Sequence, residues 1–369
     1  MKISVAKDDL ENGLQIVQNV VGVRSTLPIL SNVLLIAGDD KLEMRATDLE
    51  VSVNSSVPAR VEREGTTSLP AKRLCGLVRE LEAAEVEIEV NDKEIASVQA
   101  GAAKYKLHGI GADEYPQQSK FKESGKSIVA QSKFIEMLRK TTYAVSTDES
   151  RPVLNGIHMV MEPERMTLVA TDGRRLALVE EEVEGGTKAE IIVPNKAASE
   201  LQRLLQGEGE IEIGVGETHA EFTLKEGGAE KVKMHSKLVE GNYPNYNQVI
   251  PKQAESKQRI TLVKEELNHA LRRADQITSD KANSVKLKFG ANKLEITANT
   301  PEVGSGQESL AISYEGPEIE VAFNPTYLMD PLKVLEGEEI YMEITDSLSP
   351  GVIKSTTPFL YVIMPMRTN

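Results

Sequence analysis

Side chains capable of catalysis occur throughout the chain, but they form no pattern that a known type of active site needs. The only cysteine, Cys75, lies among Leu74, Leu77 and Val78, which is typical of a buried thiol rather than a nucleophile. No two of the five histidines have the spacing of metal ligands. The many carboxylates alternate with apolar residues, as on the wet face of half-buried strands. We therefore expect no catalytic centre, metal site or cofactor, although a hydrolase that uses carboxylates on strands remains an alternative.

A short segment resembles part of a phosphate-binding loop. Gly125, Lys126 and Ser127 have the right types for the end of such a loop, but position 120, where the motif needs its first glycine, is lysine. The segment also precedes a predicted strand, whereas a phosphate-binding loop follows one. The sequence therefore predicts no nucleotide site here.

One strand–turn–strand pattern recurs three times and organises the chain. Residues 166–179 alternate in polarity up to a turn at Thr171, Asp172 and Gly173, where glycine can adopt a positive φ. Nearly the same residues occur at 46–48 and at 298–300, about 124 residues to either side. Such an interval is typical of tandem copies of one unit.

Each unit is predicted to contain two helices among about eight strands, which makes the protein α+β. The predicted domains are residues 1–124, 125–252 and 253–369. Apolar residues recur at helical spacing in six segments, which are 7–20, 71–81, 132–142, 196–206, 264–276 and 326–336. Periodicity alone does not distinguish a closed ring of these domains from an open array.

The composition is that of a globular protein in a reducing compartment. Of 369 residues, 40% are hydrophobic and 27% charged, and no apolar run approaches the roughly 20 residues that cross a bilayer. The first residues lack the apolar segment of a signal peptide, and one cysteine cannot form an intramolecular disulfide. We expect a cytoplasmic protein with no membrane partner.

The charge is distributed unevenly. The net charge is −14, yet the six predicted helices hold 13 Lys and Arg against 11 Asp and Glu. Solvated helix faces explain most such residues, but basic residues gathered on one surface would allow contact with nucleic acid. The candidates for such a face are Lys72, Arg73, Arg79, Lys133, Arg139 and Lys140.

Four groups of residues together resemble the bacterial DNA polymerase III sliding clamps, the β subunits. They are Arg24 with Leu27–Leu30, then Ala170–Ala177, Gly241–Pro244 and Met364–Arg367. The resemblance implies three tandem DNA-clamp domains, each with two helices packed on antiparallel sheets. It further implies a head-to-tail homodimer whose six domains form a ring around double-stranded DNA. Such a ring is a processivity factor without catalytic activity or sequence specificity.

The resemblance also implies binding residues. Arg24 and Arg73 would face DNA, whereas the aromatic residues that relatives often carry before Leu154 are replaced here by Pro152 and Val153. The replicative DNA polymerase, the clamp-loader complex and other proteins with a clamp-binding motif would dock in one hydrophobic peptide pocket. Its lining would be Leu154, Thr171, Gly173, Arg174, Arg175, Leu176, Pro244, Val249, Val362, Met364, Pro365, Met366 and Arg367. Position 174 is often histidine in relatives, so its arginine would alter peptide preference.

The resemblance also implies how the dimer forms. A sheet would continue from the first domain of one copy to the third domain of the other. Lys104, Lys106 and His108 fit the first edge, and Glu302 lies beside the opposing edge. That opposing segment holds few acids, so apolar contacts from Leu74 and Leu271 are expected to contribute more. A scaffold of three β-rich domains with no DNA role is the remaining alternative.

Overall fold

Six α-helices form in the predicted places. The computed structural model describes residues 1–22, 27–118, 121–251, 258–279 and 283–367. Within these ranges the helices are α1 Lys7–Val17, α2 Ala71–Arg79, α3 Gln131–Thr141, α4 Asn195–Leu204, α5 Lys264–Asp275 and α6 Pro325–Leu332. The side chain of Asn324 caps α6 by accepting from the amides of Thr326 and Tyr327. The six helical predictions are confirmed, although several helices end a few residues early.

Strands occupy most of the remaining described chain. They are β1 Lys2–Ala6, β2 Asn32–Gly38, β3 Lys41–Thr47, β4 Val51–Pro58, β5 Arg60–Arg63, β6 Gly65–Pro70, β7 Glu85–Val90, β8 Ile95–Ala100, β9 Ala103–His108, β10 Gly125–Ala130, β11 Gly156–Glu162, β12 Arg165–Thr171, β13 Arg175–Glu182, β14 Ala189–Pro194, β15 Glu210–Val215, β16 His219–Glu226, β17 Ala229–Lys237, β18 Gln258–Val263, β19 Val285–Gly290, β20 Lys293–Thr300, β21 Gly304–Ala311, β22 Ile319–Phe323, β23 Glu339–Ile344, β24 Gly351–Lys354 and β25 Phe359–Ile363. Gly125, Lys126 and Ser127 pair with β15 inside β10. They are therefore part of a strand and not a phosphate-binding loop.

The chain divides into two compact units. The first contains residues 1–135, 183–189 and 196–238. It holds a five-stranded sheet of order β5-β1-β7-β8-β9 and an eight-stranded sheet of order β10-β15-β16-β17-β4-β3-β2-β6. The second unit contains residues 136–182, 190–195 and 239–369. It holds an eight-stranded sheet of order β14-β11-β12-β13-β25-β24-β23-β18 and a four-stranded sheet of order β21-β20-β19-β22.

The two eight-stranded sheets have the same arrangement of equivalent strands. In the first, β4 leaves the hairpin after Thr47 and pairs antiparallel with β17. In the second, β13 leaves the hairpin after Thr171 and pairs antiparallel with β25. The repeat seen in the sequence is thus a repeat of strand order, and each hairpin has a later strand beside it.

The helices bury the residues that recur at helical spacing. In α1 these are Leu10, Leu14 and Val17, each with no exposed surface, and in α2 they include Leu74 and Val78. Burial of such side chains stabilises a fold by about 1.5–3 kcal/mol each. In the described part of the chain, no helix has the length and apolar character needed to cross a membrane.

Candidate functional site

The hairpin between β12 and β13 is held by its own side chains. The Thr171 hydroxyl donates to the carbonyl of Arg175 at 2.6 Å and accepts from the amide of Gly173 at 3.1 Å. Asp172 Oδ1 accepts from the amides of Arg174 and Arg175 at 2.8 and 3.0 Å. Gly173 has φ +87°, which confirms the positive φ predicted for the turn. The hairpin therefore has a defined shape that can present neighbouring side chains.

An apolar floor lies beside this hairpin in the second unit. Leu176 on β13 pairs with Val362 on β25, and both are almost fully buried together with Val169. Five partly exposed apolar or aromatic side chains pack against these three, namely Leu178, Tyr243, Tyr246, Ile250 and Leu360. The surface is thus apolar at its base and open at its top.

The segment after β25 adds exposed methionines beside the floor. Met364 donates its amide to the carbonyl of Arg174 at 2.9 Å, and Met366 donates to that of Ala322 at 2.7 Å. Their side chains remain 41% and 40% exposed, respectively. They therefore do not close the core of the last strand. A thioether is flexible and polarizable, so such a surface can adapt to different apolar side chains.

Arg175, one of the predicted pocket residues, is largely buried and joins the hairpin to other parts of the second unit. Its side chain is only 10% exposed and contacts Asp172 at 3.1 Å and Asp330 at 2.5 Å. It also donates to the carbonyl of Tyr143 at 2.6 Å and lies 4.3 Å from the ring centre of Tyr327. Burial opposes its charge, but the surrounding acceptors, Asp330 among them, outweigh that effect and raise the pKa of Arg175. Arg175 fixes the hairpin to α6.

The other predicted pocket residues differ in exposure. Leu154, Leu176 and Val362 are buried, and Thr171 and Pro365 are half-buried. The exposed members are Gly173, Arg174, Pro244, Val249, Met364, Met366 and Arg367. The buried members can therefore support the surface, whereas the exposed members can contact a ligand directly.

Sequence reasoning missed an aromatic group beneath the surface. The ring of Tyr243 stacks on that of His158 at 4.6 Å, with Tyr246 edge-on to the same imidazole. His158 Nε2 lies 2.9 Å from Glu190 Oε1. Tyr243 adjoins Pro244 in one of the recognised groups and could have been found from it, but the other contacts are long-range and leave no local signal.

Five of the six basic helix residues predicted for a common face are exposed, namely Lys72, Arg73, Arg79, Lys133 and Arg139. Arg73 and Lys72 are both exposed on α2, and neither forms an ion pair with the described residues. Lys140 is buried at 5% exposure, so its predicted place on a basic face is wrong. Six described cations on the other helices are paired with carboxylates, namely Lys7, Arg139, Lys196, Arg203, Lys264 and Arg273. The prediction for Arg24 lies outside the described residues.

The two segments predicted to meet in a dimer are edge strands. β9 is the outer strand of the five-stranded sheet, and Lys104, Lys106 and His108 on it are exposed. β21 is the outer strand of the four-stranded sheet, and the exposed Glu302 lies just before it. Leu74 and Leu271 have no exposed surface because they face the cores of their own units. Neither can touch another chain, which corrects their predicted role.

The only cysteine is buried and is not placed as an exposed nucleophile would be. Cys75 is buried, with Sγ 3.8 Å from the carbonyl of Leu14, and burial raises the pKa of this thiol to about 11. Among the residues that the structure describes, no three His, Cys, Asp or Glu side chains are placed to hold a metal ion. The geometry instead offers an apolar surface beside Gly173, an exposed basic segment on α2 and two free sheet edges.

Comparisons with known proteins cover the full chain. Family models of the DNA polymerase III beta subunit match residues 1–119 (N-terminal domain), 128–245 (central domain) and 247–367 (C-terminal domain). Beta sliding clamps of Chlamydia muridarum and Bacillus subtilis are 33% and 32% identical, covering 100% of this chain and 99% and 100% of those proteins. The solved sliding clamp of Bacillus subtilis has a TM-score of 0.94 at 31% identity, and that of Bartonella birtlesii bound to griselimycin 0.94 at 32%, each with complete coverage of both chains.

Proposed function

The chain belongs to the family of bacterial DNA polymerase III β subunits, the sliding clamps, and on that premise we propose which of its residues carry out the function. It is a DNA sliding clamp, a processivity factor and not an enzyme. We propose that two copies join head to tail in a ring around duplex DNA. The observation that carries the proposal is the apolar surface beside Gly173, which is open, adaptable and supported by a rigid hairpin.

The proposed ligand of that surface is a short peptide with apolar side chains. Leu176 and Val362 form the floor, and Met364 and Met366 would fold over the peptide, since they are still about 40% exposed. Arg174 and Arg367 are exposed at the rim, so an acidic residue next to the apolar ones would strengthen binding. Two solved relatives are described as bound to griselimycin. Their description supports a ligand-binding surface in this family. We propose that the replicative polymerase, the clamp loader and other clamp-binding proteins share this pocket.

Enclosure explains how a protein of net charge −14 remains on DNA. Phosphate attraction is screened over about 8–10 Å, so only the residues that face the duplex need to be basic. We assign this role to Arg24 and Arg73, with Lys72 as a neighbour that is also exposed. Long basic side chains contact phosphates without reading bases, which permits sliding on any sequence.

The proposed dimer joins β9 of one copy to β21 of the other. Each strand leaves one row of backbone groups without a neighbouring strand in its own sheet. Lys104, Lys106 and His108 give one edge a positive character. Glu308 on the other edge already binds Arg273 through two contacts of 2.7 Å. Backbone pairing therefore contributes more here than ion pairs between the subunits.

The proposal includes the organisation and place of the chain. We assign the domains to residues 1–124, 125–252 and 253–369, and the site of action to the cytoplasm. Partners bind outside the ring while DNA passes through it, so one molecule serves many partners in turn.

Loading on DNA of different topology tests the proposal. The clamp is loaded with a clamp-loader complex onto nicked circular DNA, which is then cut once with a restriction enzyme. A ring should leave through the new ends, and end-blocking proteins should retain it. A protein that stays bound to open linear DNA grips a site instead, which would contradict enclosure.

A truncated chain ending at Ile363 tests the pocket in the same experiment. It lacks Met364–Arg367, which lie after the last strand, and should still dimerise but load poorly, because the loader is proposed to use the same pocket. It should not stimulate the polymerase. Normal stimulation by this variant would contradict the pocket assignment while leaving the ring intact.

A further inference from the structure

The first unit contains a second hairpin built like the one beside the peptide pocket. The Thr47 hydroxyl donates to the carbonyl of Val51 at 3.1 Å and accepts from the amide of Leu49 at 3.1 Å. Asp48 Oδ1 accepts from the amides of Glu50 and Val51 at 3.0 and 2.8 Å. Leu49 has φ +79°, where the other hairpin has Gly173. The same turn is thus made twice, the first time with a leucine in the left-handed region.

The strand beside this hairpin is also equivalent, but its side chains are polar. Lys237 donates its amide to the carbonyl of Glu50 at 2.8 Å, as Met364 does to Arg174. His235 on β17 pairs with Ser52 on β4, in the register that Val362 and Leu176 occupy in the second unit. The floor is therefore apolar in the second unit, whereas in the first unit a serine and a histidine occupy the equivalent positions.

A cavity of about 170 Å³ opens at this polar floor. It is lined by the hairpin and by Arg45, Pro116, Gln118, His219 and His235. Two of its donors, Arg45 Nε and Gln118 Nε2, are buried and have no hydrogen-bond partner among the residues that the structure describes. Because buried donors are normally paired, two in one cavity are available to an acceptor supplied by a ligand.

Side chains of both charges surround the cavity. Burial, and to a smaller extent Lys233, Arg45 and His219, lowers the pKa of His235 to about 4, so the imidazole is neutral. Three carboxylates are also near. Glu221 lies 3.2 Å from His235, Glu43 lies 3.9 Å from Arg45, and Glu50 is at the exposed mouth. None of the three satisfies Arg45 Nε.

We propose that this cavity binds a carboxylate of a partner peptide, with Arg45 and Gln118 as the donors. Arg45 would supply a charge-assisted hydrogen bond, and Gln118 a neutral one from the other side. The peptide pocket of the second unit serves here as a template for the shape of the site, and in that respect the inference rests on the proposed function. The cavity gives the clamp a second contact for partners that carry an acidic residue.

Binding of small carboxylates to the full-length protein tests this. The probe is N-acetyl-glutamate α-amide, with N-acetyl-glutamine amide as its neutral match and N-acetyl-alanine to represent a peptide C-terminus. The readout is the imidazole NMR signals of His219 and His235, with His108 and His269 as internal references. A ligand of this size should bind with a dissociation constant on the order of 1 mM. Saturable shifts by a carboxylate and none by the amide support the site, and the two acids distinguish a side chain from a terminus.

Variants decide which residues are responsible. Arg45→Gln should weaken glutamate binding by about tenfold or more, because a hydrogen bond to a charged group contributes about 1.5–3 kcal/mol. Arg60→Gln, which changes an exposed arginine on β5, is the matched control and should leave the affinity unchanged. Gln118→Leu removes a donor without changing the charge and serves if Arg45→Gln does not fold. Unchanged affinity in the folded variants, or equal shifts with the amide, would overturn the proposal.

The same assay separates this inference from the peptide pocket. The chain truncated after Ile363 should lose polymerase stimulation and still bind glutamate here. Ser52→Leu, which copies Leu176 into the floor, should abolish the glutamate response and leave stimulation through the second unit intact. Failure of either result therefore identifies which of the two proposals is wrong.

Discussion

Replacing Arg175 with methionine should destabilise the second unit more than the loss of an exposed ion pair would. The guanidinium is 10% exposed, and its two carboxylate partners, Asp172 and Asp330, are each 14% exposed. Methionine keeps part of the apolar packing but leaves both carboxylates without their cation. Breaking a buried pair in this way costs about 3–5 kcal/mol of the free energy of unfolding. The lost contact with Tyr327 keeps the estimate in the upper part of that range.

The measurement is calorimetric unfolding, with a second arginine as the control. For a unit of about 150–250 residues, 1 kcal/mol shifts the unfolding midpoint by about 2–4 °C, so Arg175→Met should lower it by about 6–20 °C. Arg165→Met breaks a contact of 2.7 Å with Glu162, but Arg165 is 54% exposed. Such a pair contributes about 0–1 kcal/mol, so its midpoint should move by only a few degrees.

A double variant tests the reasoning itself. If the loss of stability comes from buried carboxylates that no longer have a cation, Arg175→Met combined with Asp330→Leu should be more stable than Arg175→Met alone. Peptide binding should also weaken in Arg175→Met, since the hairpin beside Leu176 loses its attachment to α6. A midpoint change no larger than that of Arg165→Met would refute the assignment of Arg175 as the residue that fixes the hairpin.

Four further outcomes are expected. Lys106→Pro should remove a backbone donor from β9 and yield a species of 40.5 kDa by light scattering, whereas a dimer of twice that mass would contradict the proposed edge. Arg73→Ala, alone and with Arg24→Ala, should shorten retention on circular DNA at moderate salt without changing the dimer, and equal retention would exclude both contacts. Cys75 should react with a thiol reagent only after denaturation, because burial raises its pKa to about 11, and rapid labelling of the native protein would disprove this. Since the pKa of His235 falls from 6.5 to about 4 on folding, the unfolded chain binds its proton first, so stability should decline as pH falls from about 6.5 to 4, and His235→Gln should flatten that slope.

Local patterns in the sequence were sufficient for the elements of this protein. The helical spacing of Leu10, Leu14 and Val17 predicted α1, because a helix in a globular protein must bury one face. The turn at Thr171 and Asp172 with a glycine after it predicted the hairpin and its positive φ. The repeat interval predicted tandem domains, and family models match three successive segments of the chain. All of these depend on residues close together in the chain.

The tertiary structure decided which of those residues are accessible and what they contact. Arg175 is paired with Asp330, 155 residues later, so it joins the hairpin to α6. Leu74 and Leu271 point into the cores of their own units, and Lys140 is buried, although each has an exposed arginine next to it in the sequence. His235 lies beside Ser52 only because β17 pairs with β4. Such contacts depend on strand order and register, which join distant segments, and no local period in the sequence encodes that choice of partner.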